Sequence, residues 1–370
     1  MFFINRTCLM LLMLWPLFAM SASADVSPKA VLMAQGLSQP WAMAQVSDQH
    51  LLMTQKGGSL VLFDMASGTQ TSVSGAPKVM VMGQGGLLDV AVPADYKQGD
   101  EQAGWIYFTY VALAQKDGKK GLGATALGRA KLDESLAALQ DWQTLLVTQS
   151  ASAEGQHFGS RIAFINEYVF FGVGDRGHRD NGQDLTTHAG TIMRLYRDGR
   201  VPLDNPFVGR SDALPEIWSY GHRNPQGLAV RQGQLWASEH GPRGGDELNL
   251  IEKGGNYGWA QVSLGKEYWG PLDVGVASKP GMIDAEKVYI PSIAPSSLLS
   301  VEHNRYGWQG DFLLGALKLQ HLNRLLMRDH RVTQEKRYLE NQKQRLRALL
   351  EDRQGRIWIA TDAGQLWQLQ

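Results

Sequence analysis

Residues 216–259 read EIWSYGHRNPQGLAVRQGQLWASEHGPRGGDELNLIEKGGNYGW. Two apolar runs, Gly227 to Val230 and Gln234 to Ser238, flank a short polar turn, Arg231 to Gly233. Short apolar runs separated by glycine-rich polar segments are the layout of strands and loops, whereas a helix would space its apolar residues three and four apart. The two runs therefore form a hairpin, and each end of it throws a polar loop toward one face of the sheet. One loop is Tyr220 to Gln226 and the other Glu239 to Glu247. Gly241 and the Gly244-Gly245 pair allow the second loop backbone angles closed to other residues, so that its carbonyls can turn toward a ligand. An oxygen-lined cation site is then possible without a cluster of acidic side chains.

The same unit recurs outward from this hairpin: an apolar strand, a short polar turn, a second apolar strand, then a polar loop. Instances begin at Trp41 (WAMAQVSDQHLLMTQ), Leu87, Arg161 (RIAFINEYVFFGVGDRG), Gly227, Gly310 (GDFLLGALKLQHLNRLLM) and Leu346. About six such units predict an all-β fold, a six-bladed β-propeller of four-stranded antiparallel blades. A strand from the N-terminal end paired into the last blade would close the ring and hide its edges. A β-sandwich, the competing all-β architecture, would space its strands more evenly. Only Glu335 to Leu350 reads as a sizeable charged, helix-compatible run.

Composition agrees with a turn-rich β chain, since 41 glycines stand beside 11 tryptophans and glycine is costly inside helices. Basic and acidic residues balance at 36 each, which leaves no electrostatic footprint for nucleic acid. The first residues place Arg6 ahead of an apolar run from Cys8 to Met20 and small residues at Ala22 and Ala24. This is the pattern of a secretory signal, residues 1–24, followed by one domain over 25–370. The run is short for a bilayer span and contains Pro16, so no stable span is expected in the mature chain. The only cysteine, Cys8, lies inside that signal. An exported chain with no disulfides suits the bacterial periplasm.

If the units are blades, their polar loops converge at one end of the axis. The candidates so gathered are Gln84, His157, Asp175, Arg223, Asn224, the loop with Gly241 and Pro242, Lys318, Arg345 and Arg347. His157 can accept a proton near neutral pH, as a general base, or be an ordinary loop histidine. Arg345 and Arg347, two apart on an extended segment, share a face and can grip carboxylates, or form a solvated basic face. Lys318, between Leu317 and Leu319 on a strand, turns away from both and wants water or an anion. Asp175 closes a turn or orients a histidine. Metal-spaced histidine pairs, a nucleophile elbow, a P-loop and a dinucleotide fingerprint are all absent from the sequence.

The motifs GQGGLLDVAV, HFGSRI, GVGDRG, HAGTIMRLYRDGRVPLDNPF, IWSYGHRNPQGLA, SEHGPRGGDELNLIEKGGNYGW and IAPSS run through nearly the whole chain. In them the chain resembles the soluble pyrroloquinoline quinone (PQQ)-dependent glucose dehydrogenase family, in particular its aldose sugar dehydrogenase branch. The resemblance implies a six-bladed propeller that oxidises the C1 hydroxyl of aldoses to lactones and passes electrons to a periplasmic quinone or cytochrome. It implies that His157 is the catalytic base and that Asp175 orients it. Gln84, Arg223, Asn224, Lys318, Arg345 and Arg347 would contact PQQ, with Arg223 also among the catalytic residues. The carbonyls of Gly241 and Pro242 would bind calcium. His240 stands where the glucose dehydrogenase proper has glutamine, and that enzyme's long insertions have no clear counterpart, so a more open cleft, broad aldose use and a monomer are expected. Gln156, Phe158, Tyr268 and Trp269 are candidates for the sugar-facing wall. The alternatives are a calcium-dependent lactonase-type propeller, which would surround its cation with acidic and amide side chains, and a non-catalytic propeller that binds a sugar or a protein.

Overall fold

Gln232 and Gly233, at φ 52 and 76, form the two-residue turn of the hairpin expected over residues 227–238. Positive φ at both turn residues is the conformation whose twist matches the strands it joins. The computed structural model of the protein describes residues 28–117 and 120–370, so the secretory signal lies outside the described residues.

The first strand, β1 (Ala30–Ala34), is set apart. Four strands follow as blade one: β2 (Pro40–Gln45), β3 (His50–Gln55), β4 (Leu60–Asp64) and β5 (Gln70–Val73). Blade two is β6 (Leu87–Ala91), β7 (Trp105–Asp117), β8 (Lys120–Leu132) and β9 (Leu139–Val147). Blade three is β10 (Ile162–Ile165), β11 (Tyr168–Val173), β12 (Thr191–Tyr196) and β13 (Ile217–Tyr220). Blade four is β14 (Pro225–Arg231), β15 (Gln234–Glu239), β16 (Asp246–Leu250) and β17 (Lys287–Tyr289). Blade five is β18 (Pro295–Ser300), β19 (Phe312–Ala316), β20 (Leu322–Arg328) and β21 (Arg331–Tyr338). Blade six is β22 (Leu346–Glu351), β23 (Ile357–Thr361) and β24 (Leu366–Leu369), completed by β1. Each blade is a four-stranded antiparallel sheet, and the fold is a six-bladed β-propeller. β1 pairs with β24 in the register Ala30↔Leu369 and Leu32↔Trp367, which closes the ring as expected.

The core is a ring of inter-blade layers. Trp41 and Leu87 belong to the layer between blades one and two, Leu127 and Phe171 to the next, and Phe170 and Leu235 to the third. Trp236 meets Phe312 at 5.3 Å between blades four and five. Leu313 and Ile357 lie between blades five and six, and Phe63 meets Trp358 at 5.7 Å where blade six returns to blade one.

Two expectations need correction. Residues 335–350 form no sizeable helix: β21 ends at Tyr338, β22 starts at Leu346, and between them lies only a three-residue 3-10 turn, Glu340–Gln342, bounded by the left-handed φ of Leu339 (63°) and Lys343 (49°). β21 is an outer strand, so its charges are used sideways: Glu335 takes Lys287 Nζ at 2.8 Å and Arg337 Nε at 2.9 Å. The unit read from Gly310 falls on β19 and β20, whereas the other five begin on the first strand of their blades, that from Leu346 running on through β24. No helix among the described residues is long and apolar enough to cross a membrane.

On the axis lies a buried ion pair, Arg161 Nη1 to Asp89 Oδ1 at 2.9 Å, with the residues 6% and 5% exposed. Arg161→Leu leaves Asp89 buried without its cation. A loss of about 3–5 kcal/mol of stability is expected, read as a lower urea midpoint. A loss below about 1 kcal/mol would show that the ring closes without this pair.

Candidate active site

The innermost strands all start at one end of the axis, and the loops leading into them surround a cleft. Two adjoining cavities, about 600 and 290 Å³, meet at Gln84, His240 and Ala294. His157, Asp175, Arg223, Gly241, Pro242 and Lys318 line the larger. Arg345 and Arg347 line the smaller. Nine of the ten residues singled out from the sequence therefore face one cleft. Asn224 lies beneath it, 1% exposed, with its carboxamide oxygen accepting from Gly159 N (3.2 Å) and Gln226 Nε2 (3.1 Å).

His157 sits in the loop before β10 with φ at 56°, and its backbone N–H donates to Gln84 Oε1 at 3.0 Å. Its Nδ1 is 2.6 Å from Asp175 Oδ1. Asp175 also accepts from Gly177 N at 2.8 Å and from Trp259 Nε1 at 2.7 Å. Acceptor-only Asp175 makes Nδ1 the protonated nitrogen, so Nε2, which has no partner among the described residues, keeps its lone pair. Burial lowers the His157 pKa, Asp175 opposes this, and the Arg223 charge adds to the lowering. Burial pushes the Asp175 carboxyl up, but the His157 hydrogen bond and charge, Gly177 N–H and Arg223 together hold it below the usual range. The pair is thus a neutral imidazole beside a carboxylate at neutral pH, the state of a general base.

Arg223 holds the second wall. Its backbone N–H donates to Glu239 Oε2 at 2.8 Å, Nη1 to His240 O at 3.1 Å and Nη2 to Tyr268 Oη at 3.4 Å. Its guanidinium carbon is 5.3 Å from the centre of the Trp259 ring. His240 Nε2 donates to Pro295 O at 2.8 Å. Burial, then the Arg223 charge, brings its pKa down to about 3.

The predicted arginine pair does share a face, and it holds a carboxylate from its own blade. Arg345 Nε reaches Asp362 Oδ2 at 2.7 Å, and Arg347 Nε reaches Asp362 Oδ1 at 2.7 Å. Arg347 also stacks over Trp41, 4.6 Å from its centre. Lys318 lies on a bend after β19, not on a strand, and its exposed ammonium has no partner among the described residues. Seven Lys and Arg side chains line the two cavities against only Asp175, Asp246 and Asp362.

Gly241 is required by space and does not use a positive φ, in contrast to Gly244 (87°) and Gly245 (73°). A Cβ on Gly241 would lie 2.1 Å from Gly245 O. Asp246 pins this loop, accepting from Gly241 N at 2.9 Å and Ala294 N at 2.7 Å. The sequence reading missed Trp259, Asp362 and the Arg179–Glu267 pair, whose two N–O distances are both 2.7 Å. Of the suggested sugar wall, Gln156 and Tyr268 line the cleft. Phe158 is buried at 1% exposure, and Trp269 is 74% exposed outside the lining.

Residues 37–368 match the family model described as glucose/sorbosone dehydrogenase. The chain is similar to the aldose sugar dehydrogenase YliI of Escherichia coli, 35% identical over 94% of each chain. Its fold is similar to the crystal structure of the soluble aldose sugar dehydrogenase of Escherichia coli in the apo form, with TM-score 0.87, 32% identity, and 93% of this chain and 99% of that one covered. It is also similar to the PQQ-bound form of the aldose sugar dehydrogenase of Streptomyces coelicolor, with TM-score 0.74, 25% identity, and 93% and 98% covered.

Followed by the NMR shifts of its ring protons, His157 is expected to titrate below its ordinary value of 6.5. In Asp175→Asn it should titrate lower still, because the partner that favours the imidazolium is gone. A higher value in that variant would contradict the assigned pairing.

Proposed function

The chain belongs to the glucose/sorbosone dehydrogenase family, and from that premise we propose that it oxidises the anomeric C1 hydroxyl of aldoses to lactones, using PQQ and calcium. The observation that carries this reading is the His157–Asp175 pair, Nδ1 to Oδ1 at 2.6 Å, facing a cleft lined by cations.

The lining fits PQQ, a planar tricarboxylate. Arg223, Lys318, Arg345 and Arg347 supply charge-assisted donors, and Gln84 a carboxamide between the two cavities. The Gly241 and Pro242 carbonyls supply hard oxygen ligands, and a calcium ion there would complete its shell from a bound ligand and water. This basic lining favours a dehydrogenase with an anionic cofactor over a lactonase, which would place acidic and amide groups about its cation. When bound, PQQ supplies the acceptor for the hydride leaving C1, and calcium the Lewis acid beside it. His157 Nε2 takes the C1 hydroxyl proton. Asp175 steadies the imidazolium so formed and holds the ring in the tautomer that can accept. Arg223 places positive charge along the same wall, between His240 O and Tyr268. Export to the periplasm, a monomeric state and transfer of electrons to a periplasmic quinone or cytochrome complete the proposal.

Reconstitution with PQQ and calcium is the direct test: aldose-dependent dye reduction should require both components, and no PQQ binding would overturn the reading. His157→Ala is expected to cut the rate by about 10²–10⁴ with PQQ affinity near normal. Equal loss of PQQ binding would contradict the assignment of the base. Since burial lowers the His157 pKa, the acid limb of the rate profile should lie below the ordinary imidazole value of 6.5. Changing Arg345 and Arg347 together to Ala should weaken PQQ binding; an unchanged affinity would remove them from the cofactor site. Arg179 closes one side of the cleft through Glu267, so Arg179→Ala should raise kcat/KM for a disaccharide relative to its monosaccharide. An unchanged ratio would show that this pair does not bound the sugar site.

A further inference from the structure

At the other end of the axis, where the innermost strands finish, a separate cavity of about 380 Å³ opens. Arg161 and Asp89 line it and stand between it and the cleft. The Arg161 guanidinium also donates to Trp41 O (3.3 Å), Gln226 O (3.0 Å) and Arg347 O (3.0 Å), three residues with side chains on the cleft side.

The cavity walls include buried Val90, Leu228, Leu298 and Leu349. The buried charged groups around it are already committed, while Glu302 and His303 stand exposed at its mouth. Asp89 is held by Arg161 and by Ile162 N at 2.7 Å. Glu351 accepts from Glu302 N (2.7 Å) and His303 N (3.1 Å). Asp352 accepts from Arg356 Nε (2.6 Å) and Trp358 Nε1 (2.8 Å). Arg353 pairs with Asp48 at 2.9 Å.

The free capacity is uncharged. Gln45, 6% exposed, accepts from Arg353 N through Oε1 at 2.8 Å, while its Nε2 is buried with no partner. Ser297, also 6% exposed, makes no side-chain hydrogen bond among the described residues. A buried amide donor left unpaired beside a cavity calls for an acceptor. A charged ligand would find no free partner among the buried charges Asp89, Arg161 and Asp352, and the exposed Glu302 carboxylate at the mouth repels an anion. A hydrocarbon would leave the Gln45 donor unmet. A polyol meets both conditions, with oxygens on Gln45 and Ser297 and its C–H faces on the apolar wall. The volume lies within the range of small-molecule sites, about 300–1,000 Å³.

We propose that this cavity is a second ligand site, distinct from the cleft, for a neutral polyhydroxylated molecule of about hexose size. The test uses D-sorbitol, which has no anomeric carbon, against the full chain reconstituted with PQQ and calcium. Binding is read by saturation-transfer NMR and calorimetry. Sorbitol should bind the parent protein and His157→Ala alike. Binding should weaken at least tenfold in Gln45→Leu. The same loss is expected in Ala94→Trp, which fills the mouth from an exposed position and disturbs no side-chain hydrogen bond. Should Gln45→Leu fail to fold, Ala94→Trp alone decides. No sorbitol binding would reduce the cavity to a water-filled channel and overturn the proposal. So would binding unchanged in Ala94→Trp, or lost only in His157→Ala, which would place the polyol in the cleft.

Discussion

Arg161 touches five of the six blades. It precedes β10 of blade three, pairs with Asp89 of blade two, and donates to carbonyls of blades one, four and six. The remaining blade is tied in by Ser296 Oγ, which donates to Leu346 O of blade six at 2.6 Å. Wherever innermost strands converge on an axis, backbone carbonyls gather with no strand to pair them, and an arginine brings five donors in one plane to meet them. The cost is a buried charge. Burial pushes the Asp89 carboxyl up, and Arg161 opposes that shift. Such a pair contributes less to net stability than to holding the blades in one relative register.

The hub also partitions the molecule electrically. On the cleft side the lining is dominated by guanidinium and ammonium groups, and this field adds to the burial that keeps a histidine there neutral. His157 and His240 are both lowered, first by burial and then by Arg223. Only His157 has a carboxylate partner to steady the imidazolium once it forms. His240 instead gives its Nε2 proton to a carbonyl. The two histidines share a field and differ in their hydrogen-bond partners, which separates a proton acceptor from a fixed piece of the wall.

Much of this was legible in the chain because propeller repeats leave a strong period. Bulky apolar pairs such as Val169 to Val173 and Leu51 to Met53 mark the strands that pack between blades. The unit read from Gly310 was displaced because β18 is PSSLLS, an innermost strand whose serines serve the axis and carry little apolar signal. β21 looked helical for the opposite reason: as an outer strand, RVTQEKRY, it is almost wholly polar. At the site, the loop residues proposed to act directly were readable by chemistry, and their proposed roles came from family resemblance. Asp362 and Trp259 were not, since each acts through another side chain, Asp362 on two arginines and Trp259 on Asp175, and no local pattern marks such a partner.

Holding His157 in place takes more than Asp175. A non-glycine residue at φ 56° is costly unless its surroundings fix it. The fixing group is Arg176, 1% exposed, which stacks on Phe158 at 3.6 Å and donates to the carbonyls of Gln156 and Glu154, the latter at 3.0 Å. Burial brings its pKa down to about 10, so it remains charged at neutral pH. It has no carboxylate partner among its hydrogen bonds, and its charge is solvated by two carbonyls of the loop and by Gly123 O of β8 at 3.4 Å. The loop is therefore wrapped around a cation, and opening it would strand that cation in an apolar setting. An ion pair would have released the loop more easily; the carbonyl cage makes the geometry of His157 a condition of keeping Arg176 buried.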